Sequence, residues 1–138
     1  MFCDIKSQLD NPSILKIMVY SEDEESLERA TERDKTHCNN DAQYVYGWVD
    51  DNIIFGVCAF QIQADKVIIN GISVAEHARK RGIGGEMVTA LQKKYEMKIE
   101  AETDAAAVGF YCKLGFVVSE LPKTHDNCRW SCVLSAPR

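Results

Sequence analysis

Within eleven positions, Val74 to Gly84 (VAEHARKRGIG), an apolar run ends, a basic turn is crossed and an amphipathic helix begins. The run Lys66 to Val74 (KVIINGISV) is rich in β-branched residues, which pack well on a pleated surface, and it reads as a buried strand. From Gly85 onward, Met87, Leu91 and Tyr95 recur at i, i+4 and i+8. Val88 and Ala90 lie beside them, and Glu86, Gln92, Lys93 and Lys94 are left for solvent, which is helical period. The first N–H groups of such a helix lack intrahelical partners and carry the positive end of its dipole, so a phosphate placed there gains hydrogen bonds and favourable electrostatics. Gly82 and Gly84, without a Cβ, let the backbone approach a bulky anion and adopt dihedrals closed to other residues. Arg79, Lys80 and Arg81 add cationic charge, and a guanidinium grips phosphate with two parallel hydrogen bonds. The stretch is an anion cradle at the end of a strand.

Two familiar phosphate loops do not fit these residues. A P-loop needs Gly-Lys-Ser/Thr after its spacer, and here Gly84 is followed by Gly85 and Glu86. A dinucleotide fingerprint needs a third glycine where this chain has Met87. The stretch resembles instead the acetyl-CoA loop of the GNAT superfamily of N-acyltransferases, a strand ending in Val followed by R-x-x-G-x-G/A, which Arg79-Lys80-Arg81-Gly82-Ile83-Gly84 matches. Taken by itself, that match competes with a solvated basic turn before an ordinary surface helix. A second segment weighs against the competitor. Residues 104 to 116 (DAAAVGFYCKLGF) resemble the family's downstream helix, N-x-x-A-x-x-F-Y-x-x-x-G-F, at Ala107, Phe110, Tyr111, Gly115 and Phe116. The resemblance covers roughly residues 53 to 117, with both segments in the family's order.

The 138 residues suffice for one domain with one core, and 46% hydrophobic with 27% charged content is that of a soluble globular protein. The longest apolar run, Ile53 to Phe60, is too short to span a bilayer, and MFCDIKSQLD carries acids where a secretory signal needs a basic and then apolar stretch. A cytoplasmic, membrane-free protein is expected. That setting also favours reduced thiols for the six cysteines over a disulfide framework, with Cys58 and Cys112 read as small buried hydrophobes. His125, Cys128 and Cys132 lack a fourth ligand at zinc spacing, so no metal is expected.

The coarse order of elements is a short strand near Phe2 to Lys6, helices Asn11 to Tyr20 and Glu22 to Asp34, and a hairpin of Tyr44 to Val49 and Ile53 to Gln61 around Asp50-Asp51-Asn52. Strand Lys66 to Val74, helix Gly85 to Tyr95, strand Lys98 to Thr103 and helix Ala105 to Leu114 follow. Strands Phe116 to Leu121 and Arg129 to Leu134 close the chain, and Gly115 ends the last helix as a left-handed cap. Alternating strands and helices in the second half imply parallel crossovers and a mixed α/β class with a central sheet.

The resemblance implies more. In the family, two neighbouring strands splay apart and the pantetheine arm of acetyl-CoA lies in the opening. Here those strands would be Lys66 to Val74 and Lys98 to Thr103, with the backbone of Ile72, Ser73 and Val74 pairing with the pantetheine amides and Arg79 to Gly85 holding the pyrophosphate. Ligand sites outside the carboxyl ends of strands are the general rule for open α/β sheets. The reaction implied is attack of a primary amine on the thioester. It requires a base to free the amine of a proton and an acid for the departing sulfur. Tyr111 stands at the family's Tyr position, and a phenol with an ordinary pKa of about 10 is still protonated at neutral pH; its alternative is a core aromatic. For the base, Glu100 and Glu102 share a facing on their strand, opposite to Ile99, Ala101 and Thr103. His77 has a suitable pKa but lies in the phosphate loop. None of the three is singled out.

Asp104 stands where the family pattern often has Asn. It is read as a helix cap or, on the family's precedent, as a contact to the cofactor or acceptor that would favour a cationic amine. The net charge of −5 points the same way and argues against nucleic-acid affinity. The acceptor is left open between small molecules and peptides, as is pairing with a second copy of the chain. A non-catalytic acetyl-CoA or CoA-binding module is the competing function.

Overall fold

The computed structural model describes residues 1–8, 17, 43–75, 78, 81–105, 107–122 and 129–136. The two expected helices between Asn11 and Asp34 lie outside the described residues, except that Ile17 is helical and buried.

An antiparallel meander comes first. Strand β1 (Phe2–Asp4) pairs with β2 (Tyr44–Asp50), and β2 with β3 (Ile53–Gln63). The β2–β3 turn is Asp51-Asn52, with φ of 50° and 65°. Positive φ at both central residues matches the right-handed twist of the flanking strands, and short polar side chains tolerate it. Strand β3 continues two residues past the expected Gln61 and turns through Ala64-Asp65 into β4 (Lys66–Val74). Ala64 sits at φ 56° with no polar side chain to favour it. Ala64→Gly removes a left-handed cost of about 1–2 kcal/mol and adds about 0.5–1 kcal/mol of chain entropy. Thermal unfolding should therefore show a gain of a few degrees; an unchanged or lower midpoint would mean that the turn carries no such strain.

From β4 the chain crosses through α1 (Ile83–Tyr95) to β5 (Lys98–Asp104), then through α2 (Val108–Lys113) to β6 (Val117–Glu120), and ends in β7 (Arg129–Leu134). The strand order β1-β2-β3-β4-β5-β7-β6 corrects one expectation. Among the described strands only β4 and β5 are parallel neighbours, because β7 inserts antiparallel between β5 and β6. The register gives a reason. Trp130, Cys132 and Leu134 fall opposite Thr103, Ala101 and Ile99, so β7 extends the apolar face of β5.

Helices α1 and α2 cover that same face. The Tyr95 ring lies 5.7 Å from that of Phe60, and a Cβ on Gly56 would come 2.8 Å from Met87 Cε. Helix α1 buries Ile83, Met87, Val88 and Leu91, as its period requires, and starts two residues before the expected Gly85. Phe60, Val67, Ile99, Cys58 and Cys132 complete the core beneath it. The four described cysteines are free thiols. Burial pushes the Cys58 thiol up to about 12, which makes it inert at neutral pH. Cys112 departs from expectation: it is exposed, because the six-residue α2 turns only Tyr111 fully into the core. Helix α2 also starts three residues after the expected Ala105, since the Asp104 carboxylate accepts the Ala107 N–H at 3.0 Å and holds a turn there. No described helix is long and apolar enough to cross a membrane.

Candidate active site

The β4–β5 ladder runs for four pairs, from Lys66 opposite Lys98 to Ile69 opposite Ala101, and then stops. Beyond it both strands continue without pairing to each other, so their facing N–H and C=O groups are left for a ligand. A cavity of about 340 Å³ occupies this fork. Its β4 wall includes Asn70, Gly71, Ile72 and Val74, and its β5 wall Glu102 and Thr103; Gly84 of α1 and Ala107, Phe110 and Tyr111 at α2 close the third side.

Tyr111 is fixed by the end of α2. The Gly115 N–H donates to the Cys112 carbonyl and the Phe116 N–H to the Tyr111 carbonyl, both at 3.1 Å, with Gly115 at φ 93°. This is the Schellman arrangement, and its usual apolar contact is the Tyr111 ring against Phe116, centroids 5.2 Å apart and edge-on. The expected left-handed cap at Gly115 is therefore present. Tyr111 is 5% exposed. Burial, with the Cys58 and Cys132 thiols beside it, holds its phenol well above the ordinary tyrosine range, so it remains a proton donor at neutral pH.

The start of α1 is open. Gly82 caps it at φ 76°, no side chain caps the helix, and a Cβ there would meet nothing. The first-turn N–H groups, which have no acceptor within the helix itself, lie beside the fork at Gly84. At Gly84 the missing side chain serves a neighbour: a Cβ would sit 2.8 Å from Phe110 Cε2, so the glycine lets that ring pack against the helix and form the cavity wall.

Of the residues singled out from sequence, Ile72, Val74, Gly84 and Tyr111 line the cavity. Ser73, pairing with Val57, alternates away from it, and Ile83 is buried in the core. Arg81 and Gly82 are exposed, Gly85 packs near Leu114, and Asp104 engages its own turn. Arg79 and Lys80, like His77, His125 and Cys128, lie outside the described residues. The two strand glutamates part company. Glu100 bonds Lys66 Nζ at 2.9 Å and lies 3.4 Å from Lys98 Nζ; the Lys66 hydrogen bond foremost holds its carboxyl below the usual range. Glu102 reaches the cavity, from the sheet face opposite α1 and α2, and Arg129 Nε donates to it at 3.2 Å. Among the described residues no cluster of His, Cys, Asp and Glu is arranged to hold a metal ion. Sequence reasoning did not select Asn70, Gly71 or Thr103. Only the fork brings them to one space.

A family model, that of an acetyltransferase (GNAT) domain, matches residues 40–118. Solved structures share the whole fold. An aminoglycoside 6'-N-acetyltransferase complexed with coenzyme A superposes with a TM-score of 0.80 at 17% identity, covering 100% of this chain and 98% of the other. The aminoglycoside 6'-N-acetyltransferase of Enterococcus faecium gives 0.77 at 16% identity, over 100% and 98%. The ribosomal-protein-S18-alanine N-acetyltransferase of Escherichia coli gives 0.74 at 14% identity, over 100% and 94%. Among curated proteins nothing matches the sequence.

Proposed function

The chain belongs to the GNAT acetyltransferase domain family, and from that membership we propose that it is a single-domain enzyme moving an acetyl group from acetyl-CoA to a primary amine. The observation that carries this reading is the break in the β4–β5 ladder after Ile69 and Ala101, with a cavity in the gap and a buried, protonated Tyr111 in its wall. Acetyl-CoA is the acetyl donor, with no metal required. An extended, amide-bearing arm suits the unpaired edges of Ile72 to Val74, as strand addition suits any open sheet edge. Its pyrophosphate suits the uncapped first turn of α1, from Gly82 to Gly85, with Arg79, Lys80 and Arg81 as the adjoining cations.

In acetyl transfer an N–C bond forms and the thioester C–S bond breaks. On the sheet face opposite α1 and α2, Glu102 is the carboxylate suited to take the first proton from the incoming ammonium, because Glu100 is engaged by two lysines. On the helix face, Tyr111 donates its phenolic proton to the leaving sulfur and recovers one released by the amine as the amide forms. Asp104 acts by shaping the turn that leads into α2. Related folds named for an aminoglycoside and for a ribosomal-protein alanine differ in acceptor, so the fold by itself leaves the amine open.

Thermal unfolding with acetyl-CoA, CoA, ATP or NAD tests the donor site. At about a hundred times its dissociation constant a ligand stabilises by roughly 2.7 kcal/mol, several degrees for a domain of this size. A shift confined to acetyl-CoA and CoA is expected. No shift with either would remove the reading, and binding without turnover of any primary amine would leave a non-catalytic CoA-binding module.

A further inference from the structure

Asn70 is an extra residue in β4. Ala59 pairs with Gly71 and Phe60 with Ile69, so β3 offers it no partner, while on its other side the ladder to β5 has already ended at Ile69. Such a bulge re-aims a side chain. Here it lies at the head of the fork, and Asn70 lines the cavity.

The carboxamide is held from within the sheet. Asn70 Nδ2 donates to Gln43 Oε1 at 2.8 Å. Gln43 is 3% exposed, its main-chain oxygen accepts from Lys6 Nζ, and its own Nε2 has no hydrogen-bond partner among the described residues. A buried amide donor left unpaired is destabilising. Leucine would fill nearly the same volume without that cost, so a glutamine here is explained by what it holds. An asparagine amide offers two donors and an oxygen with two lone pairs. With one donor spent on Gln43, the oxygen remains available to a ligand. Tyr44 pairs with Phe60 on the helix face, so Gln43 and the carboxamide it holds belong to the opposite face, the one that carries Glu102.

We propose that Asn70 is a specificity-determining residue for the acceptor, its Oδ1 accepting a hydrogen bond from a primary ammonium or amine beside Glu102, with Gln43 the positioning residue that fixes the carboxamide. This rests on the acetyl-transfer reading. A primary ammonium has three N–H groups, enough to bond the carboxylate and the amide together, and after losing one proton it can still be oriented by the amide while its lone pair is free. A quaternary ammonium has none.

The test is a titration of the CoA-bound protein with propylammonium and, separately, with tetramethylammonium, followed by the side-chain amide NMR signal of Asn70. That signal should move saturably with propylammonium and stay still with tetramethylammonium. Asn70→Ala and Gln43→Leu should each weaken propylammonium binding, followed at other cavity signals, by about tenfold, the value of one hydrogen bond to a charged group. The double variant should lose no more than either alone, and Gln43→Leu should keep or raise the thermal midpoint. If the wild-type protein binds no CoA, the acetyl-transfer reading fails. If it binds CoA and the Asn70 signal ignores propylammonium, or follows tetramethylammonium equally, the Asn70 assignment fails while that reading stands. Unchanged affinity in Gln43→Leu would remove the positioning role.

Discussion

Tyr111→Phe is expected to lower kcat for acetyl transfer by about 100-fold or more, the usual worth of a positioned general acid, while acetyl-CoA affinity stays within a factor of about two. The substitution isolates one atom. The ring keeps its edge-on contacts with Phe110 and Phe116, at 5.0 Å and 5.2 Å, and the Schellman bonds that end α2 are main-chain bonds that do not involve the phenol. Packing and fold should therefore survive, and a change confined to kcat identifies a group needed only in the transition state. The pH dependence has a defined sign. The donor form is the protonated phenol, and burial raises its pKa above the ordinary value of 10.0, so any alkaline decline caused by Tyr111 must be centred above pH 10. An alkaline limb centred below that value belongs to another group. Steady-state kinetics with an amine that the wild-type protein acetylates measure both effects. Full activity in the phenylalanine variant would return Tyr111 to the role of a core aromatic.

Gly84→Leu should abolish detectable acetyl-CoA binding and destabilise the fold by about 3 kcal/mol, the upper part of the usual overpacking range. The cause is local. A Cβ alone would approach Phe110 Cε2 to 2.8 Å and Cζ to 3.0 Å, and a leucine adds three more carbons in the same direction. Phe110 is a cavity wall, so any movement that relieves the clash moves the wall as well. Removing the obstructing ring provides the control: Phe110→Ala in the Gly84→Leu background should recover part of the lost stability. Calorimetric binding and thermal unfolding on the four proteins of this cycle separate steric loss of the site from general unfolding. Wild-type affinity in a folded Gly84→Leu variant would show that the α1 entry does not border the donor site.

Much of the second half was legible because its signals are local. The Lys66–Val74 strand and the Arg129–Leu134 strand fall where their residues predict, since β-branched and alternating patterns need no distant partner to be recognised. Gly115 likewise acts at its own position, through a positive φ that glycine adopts freely. The misplacements have equally local causes that were harder to weigh in advance. Helix α2 was expected from Ala105, yet the Asp104 side chain competes for the Ala107 N–H, and a bond of that kind postpones a helix. Helix α1 gains two residues at its start because Gly82 supplies the left-handed cap, leaving Ile83 free to enter the core.

The sequence by itself determined the strand-to-glycine-to-helix passage at residues 66–95, the two motif segments and hence the family, because spacing, periodicity and glycine placement are properties of a chain read in order. What it could not determine is which side chains share the cavity. The choice between Glu100 and Glu102 turned on Lys66 reaching Glu100 across a parallel ladder, where it joins Lys98 of Glu100's own strand. The place of Asn70 turned on a bulge that is defined only against β3 and on a contact with Gln43, 27 positions away. The space required by Phe110 at Gly84 is likewise set by a residue 26 positions on. These are non-local pairings, fixed by how strands register and where their ladders end, and only the tertiary structure decides them.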